Sequence, residues 1–326
     1  MVINFVLEQP PEYGSVVDYD GLWKKLIYEL FEEFVLFFAS DLYEDVDFLK
    51  ESEFLQQELF QEIIQEKKGR QVADQIVKVC LKNSEEKWVL IHIEVQGSRD
   101  PDFSKRMFRY YYKIFDKYNH DIVAIALLTD DSKHFRPSQY QSSSYGTSLV
   151  YNFNMYKFSD HDEEELLNSN NPFAIAVLAA NYANEAKHDD LKRYRFKSKL
   201  MRLLLKRSDY PREQQRIHIS TLIYFIDYLL QIPKELTEKL REEFILTKED
   251  IDMLYIDRKN PPPTWGEVKR MERKEGIVEG IEKGIKKGNE EARKEVAKKM
   301  LKEGYSIEII AKLTELPVED IQNLKE

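Results

Sequence analysis

The stretch "KWVLIHIEVQG" at residues 87–97 decides the fold, because it predicts a buried β-strand that contains a carboxylate. From Trp88 to Val95 most side chains are branched or aromatic, which is typical of a strand covered on both faces. Side chains alternate along a strand, so one side is expected to carry Leu90, His92, Glu94 and Gln96. An unpaired carboxylate in such a strand costs several kcal/mol, so Glu94 needs a partner.

A second strand is predicted directly upstream, in "QVADQIVKVCLK" at residues 71–82. Asn83 and Ser84 supply turn chemistry between the two runs, which predicts an antiparallel hairpin. Asp74 lies early in the first strand and Glu94 lies late in the second. The hairpin therefore brings the two carboxylates to the same end of neighbouring strands.

The segments on either side of the hairpin complete an α/β pattern. Upstream, apolar residues at helical spacing predict a helix over 21–38, and a short strand-like patch follows near 53–60. Downstream, a helix is predicted at about 102–118, then a buried strand over 121–131 and a last β-segment over 149–158. This αβββαβ order predicts a mixed sheet, with antiparallel and parallel strands, flanked by helices.

Beyond residue 160 the β-pattern ends and the remaining chain is predicted to be helical. We expect a first segment over 1–160, a helical region over 161–258 and a C-terminal segment over 259–326. The C-terminal segment begins with the proline-rich "KNPPPTW", followed by a charged helix with glycines at a period of four and a pair of short helices. The glycines favour close packing against another helix, as in a homodimer, over a ligand-binding loop.

Composition and charge limit the classes of protein that this chain can belong to. It has 326 residues, a net charge of −10 and a single cysteine, Cys80, which cannot form an internal disulfide and fits a reducing cytoplasm. The beginning of the chain lacks the pattern of a signal peptide, and no run approaches the roughly 18 apolar residues of a membrane span. The acidic charge requires that any contact with nucleic acid use local basic patches.

Two alternatives account for a buried Glu94. Two carboxylates as close as Asp74 and Glu94 would repel each other unless a cation lies between them, and hard oxygen ligands suit Mg²⁺ or Mn²⁺. In the other alternative, Glu94 and Gln96 only form hydrogen bonds with neighbouring helices. An outer carboxylate at a metal site would come from Glu29 or Glu33 of the first helix.

The chain also resembles a known family. The αβββαβ order, with Asp on one strand and a Glu-x-Gln sequence on the next, is similar to the PD-(D/E)xK nuclease superfamily. More narrowly, "VADQIVKV", "WVLIHIEVQG" and "DFSKRMFRYYYKIFDKY" resemble recombination-promoting nucleases (Rpn) and YhgA-like transposases. The resemblance covers about residues 20–160 and extends loosely to "MLKEGYSIEIIAKLTELPVEDI" near the C-terminus. It implies a restriction-endonuclease-like core and cleavage of DNA.

The resemblance implies roles for particular residues. Asp74 and Glu94 would bind the metal, together with the backbone carbonyl of Val95. Gln96 stands where the superfamily pattern has a catalytic lysine, and Ala73 stands where it has proline. A glutamine can orient a water molecule by hydrogen bonding, but it carries no charge that would stabilise a scissile phosphate.

Basic side chains near the motif are candidates for contact with DNA. Lys78 shares a strand face with Asp74, and the helix after the motif carries a basic stripe that includes Arg106, Arg109 and Lys113. The alternative is a solvated, charged helix face. A second basic run over 191–207 has eight Lys and Arg and no acid, and it would either hold DNA or pair with acidic residues of the same chain.

We therefore expect a Mg²⁺- or Mn²⁺-dependent DNA endonuclease of the transposase-like, recombination-promoting type. The main alternative is a DNA-binding or interaction protein that keeps the nuclease fold with a weak or inactive site. A purely structural oligomer would explain the glycine helix but not the buried carboxylates. His92 shares the face of Glu94, and we expect it to be a packed core histidine and not a general base.

Overall fold

The computed structural model describes residues 13–14, 19–55, 73–82, 88–206, 212–244 and 265–324. Up to residue 160 the elements are α1 (Tyr19–Glu29), α2 (Phe31–Phe38), α3 (Ser40–Tyr43), β1 (Glu53–Leu55), β2 (Ala73–Cys80), β3 (Trp88–Gln96), α4 (Phe103–Tyr118), β4 (Ile122–Leu128), β5 (Gln139–Ser144), β6 (Thr147–Asn152), β7 (Asn154–Lys157) and a 3₁₀ turn (Phe158–Asp160). The helices that follow are α5 (Glu163–Asn168), α6 (Pro172–Glu185), α7 (Asp190–Lys206), α8 (Arg212–Leu229), α9 (Lys234–Glu243), α10 (Trp265–Lys302), α11 (Ile307–Thr314) and α12 (Val318–Asn323).

Five strands form a mixed sheet in the order β1-β2-β3-β4-β7. The first three strands pair antiparallel, whereas β3 pairs with β4 and β4 pairs with β7 in parallel. The mixed α/β sheet flanked by helices and the helical C-terminal region are therefore confirmed. The turn predicted at Asn83 and Ser84 and the proline-rich segment over 259–264 lie outside the described residues.

The two faces of β3 pack against different layers, as the alternation of its side chains predicts. Ile91 and Ile93 belong to the main core, which also contains buried side chains of α1, α2, α6 and α8. Leu90 lies on the other face, where it packs with Tyr110 and Ile114 of α4. The sheet is thus covered on both sides, and α4 is the helix that faces Glu94.

The last predicted β-segment, 149–158, is two strands and not one. Strand β6 pairs with β5 in a separate hairpin, while β7 joins the main sheet beside β4. The chain changes sheets at Phe153, whose backbone N–H donates to the carbonyl of Ser138 and whose side chain is buried among the residues that pack on α4. At the tip of the hairpin, Tyr145 and Gly146 both have positive φ, which a tight two-residue turn requires.

The chain divides into two compact units, residues 1–268 and 269–326. Helices between residues 163 and 243 belong to the first unit. Buried side chains of α5, α6, α7 and α8 share the main core with the sheet, whereas Leu240 of α9 packs in a small separate cluster with Tyr194 and Ile232. The boundary predicted at residue 160 therefore separates strands from helices along the chain, and it does not separate two cores. None of the described helices is both long enough and apolar enough to cross a bilayer.

The second unit has a small core of its own. It is formed by the end of α10 together with α11 and α12, and it buries Ala297, Ile310, Leu316 and Ile321. The regularly spaced glycines of α10 are exposed, and a Cβ atom built on any of them would meet no described atom within 4 Å: Gly276, Gly280, Gly284 and Gly288. The homodimer through this helix stays a prediction.

Candidate functional site

The register of the central hairpin places the backbone of Asp74 directly opposite that of Glu94. This is the arrangement that the sequence predicts, because the two residues are Cα partners on neighbouring antiparallel strands. The side chain of Asp74 lies outside the described part of the chain. The geometry of the site is therefore built from Glu94 and from the elements that cover it.

Glu94 forms an ion pair with Arg106 of α4. Its side chain is fully buried, and its Oε1 accepts hydrogen bonds from Nε of Arg106 at 3.1 Å and from Nη2 at 2.8 Å. Charge-assisted contacts of this kind are among the stronger hydrogen bonds in proteins. Arg106 is the partner that a carboxylate on this strand needs.

The same guanidinium contacts two further side chains. Its Nη2 donates to Oε1 of Gln96 at 2.6 Å, and its Nη1 forms an ion pair with Asp100. The other end of the Gln96 amide is also bound, since its Nε2 donates to the carbonyl of Ser98 at 2.5 Å. We call Glu94, Gln96, Asp100 and Arg106 the Arg106 cluster.

Local sequence explains why Arg106 points inward. The carbonyl and Oδ1 of Asp100 accept from the first backbone N–H groups at the start of α4, which fixes where the helix begins. Arg106 is three residues after Phe103 and four before Tyr110, so it falls within the buried stripe of the helix. Arg106 was predicted as a candidate for contact with DNA, but its side chain is only 8% exposed and forms ion pairs with Glu94 and Asp100 instead.

The cluster carries more negative than positive charge. One guanidinium faces two carboxylates, those of Glu94 and Asp100, so its formal charge is −1. Among the described residues, Oε2 of Glu94 has no hydrogen-bond partner although it is buried. The cluster lies just below the surface, because Gly97 and Ser98 at the end of β3 are exposed. This buried oxygen of Glu94 is therefore a candidate ligand atom.

His92 lies two residues before Glu94 on the same face of β3. It is fully buried, and neither ring nitrogen has a hydrogen-bond partner among the described residues. Burial, and secondarily the positive charge of Arg106, lowers the pKa of His92 to about 3. The ring of Tyr110 meets that of His92 edge to face at 5.5 Å. His92 is thus a neutral core histidine, as predicted, and a poor general base.

The other predicted DNA-binding residues lie apart from the cluster or have other contacts. Lys78 forms an ion pair with Glu53 at 3.5 Å and lies over the ring of Trp88. Its Cα partner is Leu90, four residues from Glu94 and thus roughly 13 Å along the strand. On α4, Arg109 is exposed and Lys113 is half-buried. Their contact with DNA stays a prediction.

Much of the second basic run is used within the chain. Five of its cations form ion pairs with acidic residues, which are Lys192 with Glu185, Arg193 with Asp190, Lys197 with Asp227, Lys199 with Glu163 and Arg202 with Glu243. Of the two alternatives for residues 191–207, the contacts favour pairing with acidic residues of the same chain over a path for DNA.

The described residues alone do not form a metal site. Within them, no group of three or more His, Cys, Asp or Glu side chains is close enough to hold a metal ion. Glu29 and Glu33 belong to α1 and α2, which pack on the opposite face of β3 from Glu94. Asp74 and the carbonyl of Val95 remain the predicted partners of Glu94 as ligands.

Comparison with known protein families, with curated proteins and with solved structures finds no match to this chain. The geometry of the cluster is therefore the basis for a functional proposal. Asp100 is the member of the cluster for which the sequence analysis assigned no site role. In the sequence, Asp100 could have been found from its position at the start of α4, six residues before an arginine in the buried stripe of that helix.

Proposed function

We propose that the protein is a metal-dependent DNA endonuclease that hydrolyses phosphodiester bonds, of the transposase-like, recombination-promoting type. One observation carries the proposal. Glu94 is fully buried, keeps Oε2 without a hydrogen-bond partner among the described residues, and lies on a strand whose register sets it opposite Asp74. A buried carboxylate oxygen without a partner is costly, and a bound cation would remove that cost.

The donor chemistry fits Mg²⁺ or Mn²⁺. The ligands would be the carboxylates of Asp74 and Glu94 with the carbonyl of Val95, all of them hard oxygen donors. The charge also fits, because the cluster has a formal charge of −1 and Asp74 adds another negative charge, which one divalent ion would balance. When bound, such an ion lowers the pKa of a water molecule and stabilises negative charge on a phosphate.

The residues of the chain would prepare this site in distinct ways. Arg106 holds Oε1 of Glu94 by two hydrogen bonds, which keeps that carboxylate oxygen in place. Gln96 is bound at both ends of its amide, and its carbonyl oxygen has a second lone pair that can accept from water. Arg109 and Lys113 of α4 would contact the phosphodiester backbone.

Two further features belong to the same proposal. A homodimer through α10 is supported by the exposed side chains beside its glycines, since Ile277, Ile281 and Ile285 are each about half exposed. The proposed location is a reducing cytoplasm. The single cysteine, Cys80, supports it, because it has no partner for an internal disulfide.

The ion pair itself favours a second candidate, a DNA-binding or interaction protein that keeps the nuclease fold without activity. Arg106 already neutralises the charge of Glu94, so the strand can be stable without a metal ion. In this candidate the cluster is a structural contact between β3 and α4. The two candidates differ in whether Mn²⁺ binds at Glu94.

Binding and cleavage together test the proposal. Titration of Mn²⁺, followed by electron paramagnetic resonance, is expected to show one site that is lost in Asp74→Ala and in Glu94→Gln. Nicking of supercoiled plasmid in Mg²⁺ or Mn²⁺ is expected for the natural protein and not for either variant or in excess chelator. Specific Mn²⁺ binding without cleavage would refute the endonuclease, and no specific binding would favour the inactive candidate.

A further inference from the structure

The guanidinium of Arg106 lies next to Gln96, the residue of the β3 motif that is uncharged where the resembled pattern has a lysine. Gln96 stands at the position that carries lysine in the pattern this strand resembles, and its side chain ends at 2.6 Å from Nη2 of Arg106. The same nitrogen lies 2.8 Å from Oε1 of Glu94. A positive charge is therefore present next to the end of the Gln96 side chain, but it comes from α4 and not from β3.

We propose that Arg106 is the fixed cation of the site and that it positions Glu94 and Gln96, in place of a lysine on β3. The inference rests on the proposed endonuclease function. Arg106 acts through the two side chains that it holds, so it is a positioning residue.

The contacts of Arg106 hold neighbouring side chains in place as well as supplying a positive charge. Nε and Nη2 bind one carboxylate oxygen of Glu94, Nη2 also binds Gln96, and Nη1 binds Asp100. A planar guanidinium can make such a set of contacts at fixed angles, whereas the ammonium of a lysine is a single point charge. Arg106→Lys therefore keeps the charge and loses the geometry.

Asp100 explains how a buried arginine is compatible with a metal ion nearby. Arginine next to a divalent cation would be repelled, unless its own charge were compensated. Asp100 compensates it, and its side chain is 15% exposed, so it does so at the rim of the cluster. The cluster then keeps a formal charge of −1, and Oε2 of Glu94 has no hydrogen-bond partner among the described residues.

The proposal predicts that Gln96 and Arg106 are coupled. Gln96→Lys alone places an ammonium beside the guanidinium, and Arg106→Gln alone leaves Glu94 buried without its cation. The double variant Gln96→Lys/Arg106→Gln again has one cation, now on β3. It is expected to recover much of the thermal stability that each single variant loses.

The experiment is a double-mutant cycle on the full chain, with thermal midpoint and Mn²⁺ affinity measured on the natural protein, both single variants and the double variant. Each single variant is expected to lower the midpoint by roughly 10 °C and the affinity for Mn²⁺ at least tenfold. The double variant is expected to regain at least half of the loss in midpoint, because it again has one cation. Its affinity for Mn²⁺ is expected to stay low, because an ammonium does not reproduce the contacts of the guanidinium. Midpoint losses that simply add would overturn the proposal.

Two controls separate positioning from general stability. Lys197→Met breaks a buried ion pair elsewhere in the first unit, and it is expected to lower the midpoint to a similar extent while leaving Mn²⁺ affinity unchanged. The thermal midpoint of Arg106→Lys is expected to stay close to that of the natural protein, while its affinity for Mn²⁺ is expected to fall. Equal loss of affinity in Lys197→Met and Arg106→Gln would mean that Arg106 only supports the fold.

The readouts also distinguish failure of this inference from failure of the proposed function. If the natural protein binds Mn²⁺ and cuts plasmid but the midpoint losses add, the endonuclease stands and the role of Arg106 is refuted. If the natural protein neither binds Mn²⁺ nor cuts plasmid, the endonuclease is refuted. In that second case, the thermal midpoint still tests the role of Arg106. Recovery of the midpoint in the double variant would support Arg106 as the cation of the cluster, and additive losses of midpoint would refute that role.

Discussion

Two buried ionic contacts in the first unit differ in their balance of charge. Lys197 of α7 pairs with Asp227 of α8, one ammonium with one carboxylate, and both side chains are 3% exposed. In the Arg106 cluster, one guanidinium faces the carboxylates of Glu94 and Asp100. The balanced pair joins two helices, whereas the cluster has one carboxylate more than it has cations.

The difference shows how a structural ion pair can be told from a candidate binding site. A balanced pair needs nothing further, and hydrophobic residues of similar volume can often replace it. A cluster with one carboxylate in excess is a candidate for binding a cation. Burial alone does not separate the two, because both are almost inaccessible to solvent.

The largest expected effect is on the free energy of unfolding, and it concerns the balanced ion pair of Lys197 and Asp227. Lys197→Met should lower the free energy of unfolding by about 3–5 kcal/mol, because it leaves Asp227 buried and unpaired. The double variant Lys197→Met/Asp227→Leu should come within about 1–2 kcal/mol of the natural protein. Urea unfolding followed by circular dichroism measures both. A double variant as unstable as the single one would show that this pair is more than a structural contact.

The next effect is a pH dependence that comes from His92 beside the cluster. Its pKa is lowered to about 3 in the folded protein, so the unfolded chain takes up the proton first as the pH falls below about 6.5. The free energy of unfolding should therefore be about 2 kcal/mol lower at pH 5 than at pH 8 because of His92 alone. Urea unfolding across this range should show a smaller fall in His92→Phe. The exposed His134→Gln is the control, and equal slopes in both variants would contradict the prediction.

A smaller effect is expected when the charge of the cluster is balanced. Asp100→Asn leaves one guanidinium with one carboxylate, as in the Lys197 pair. The affinity for Mn²⁺ should then fall roughly tenfold, or about 1.4 kcal/mol, since a negative charge near the ion is lost. Calorimetric titration measures it, with the neighbouring exposed Asp102→Asn as control. Unchanged affinity in Asp100→Asn would mean that surplus charge does not define this site.

The smallest effect concerns the exposed part of α4. Arg109→Ala should weaken DNA binding for all sequences alike and reduce the slope of log K against log salt by about 1, because one phosphate contact is lost. Fluorescence anisotropy at several salt concentrations measures the slope. Lys298→Ala, exposed on α10, should leave it unchanged. An unchanged slope in Arg109→Ala would place the path of DNA elsewhere.

Much of the fold could be predicted from sequence because its patterns are local. The alternation along β3, the hairpin that sets Asp74 opposite Glu94 and the helix opened at Asp100 all depend on neighbouring residues. The division of 147–157 into β6 and β7 could not be predicted, because Phe153 changes sheets through contacts with α4 that are distant in sequence.

The sequence by itself determined that a carboxylate lies in a buried strand, that it is set opposite another, and that basic residues follow on the next helix. Only the tertiary structure decided which of those cations meets Glu94. The sequence analysis placed Arg106 and Arg109 in one basic stripe, and the docking of α4 on the sheet buried the first and exposed the second. The physical reason is that a buried charge is stable only where its counter-charge is within reach, and that distance is set by how the helix packs.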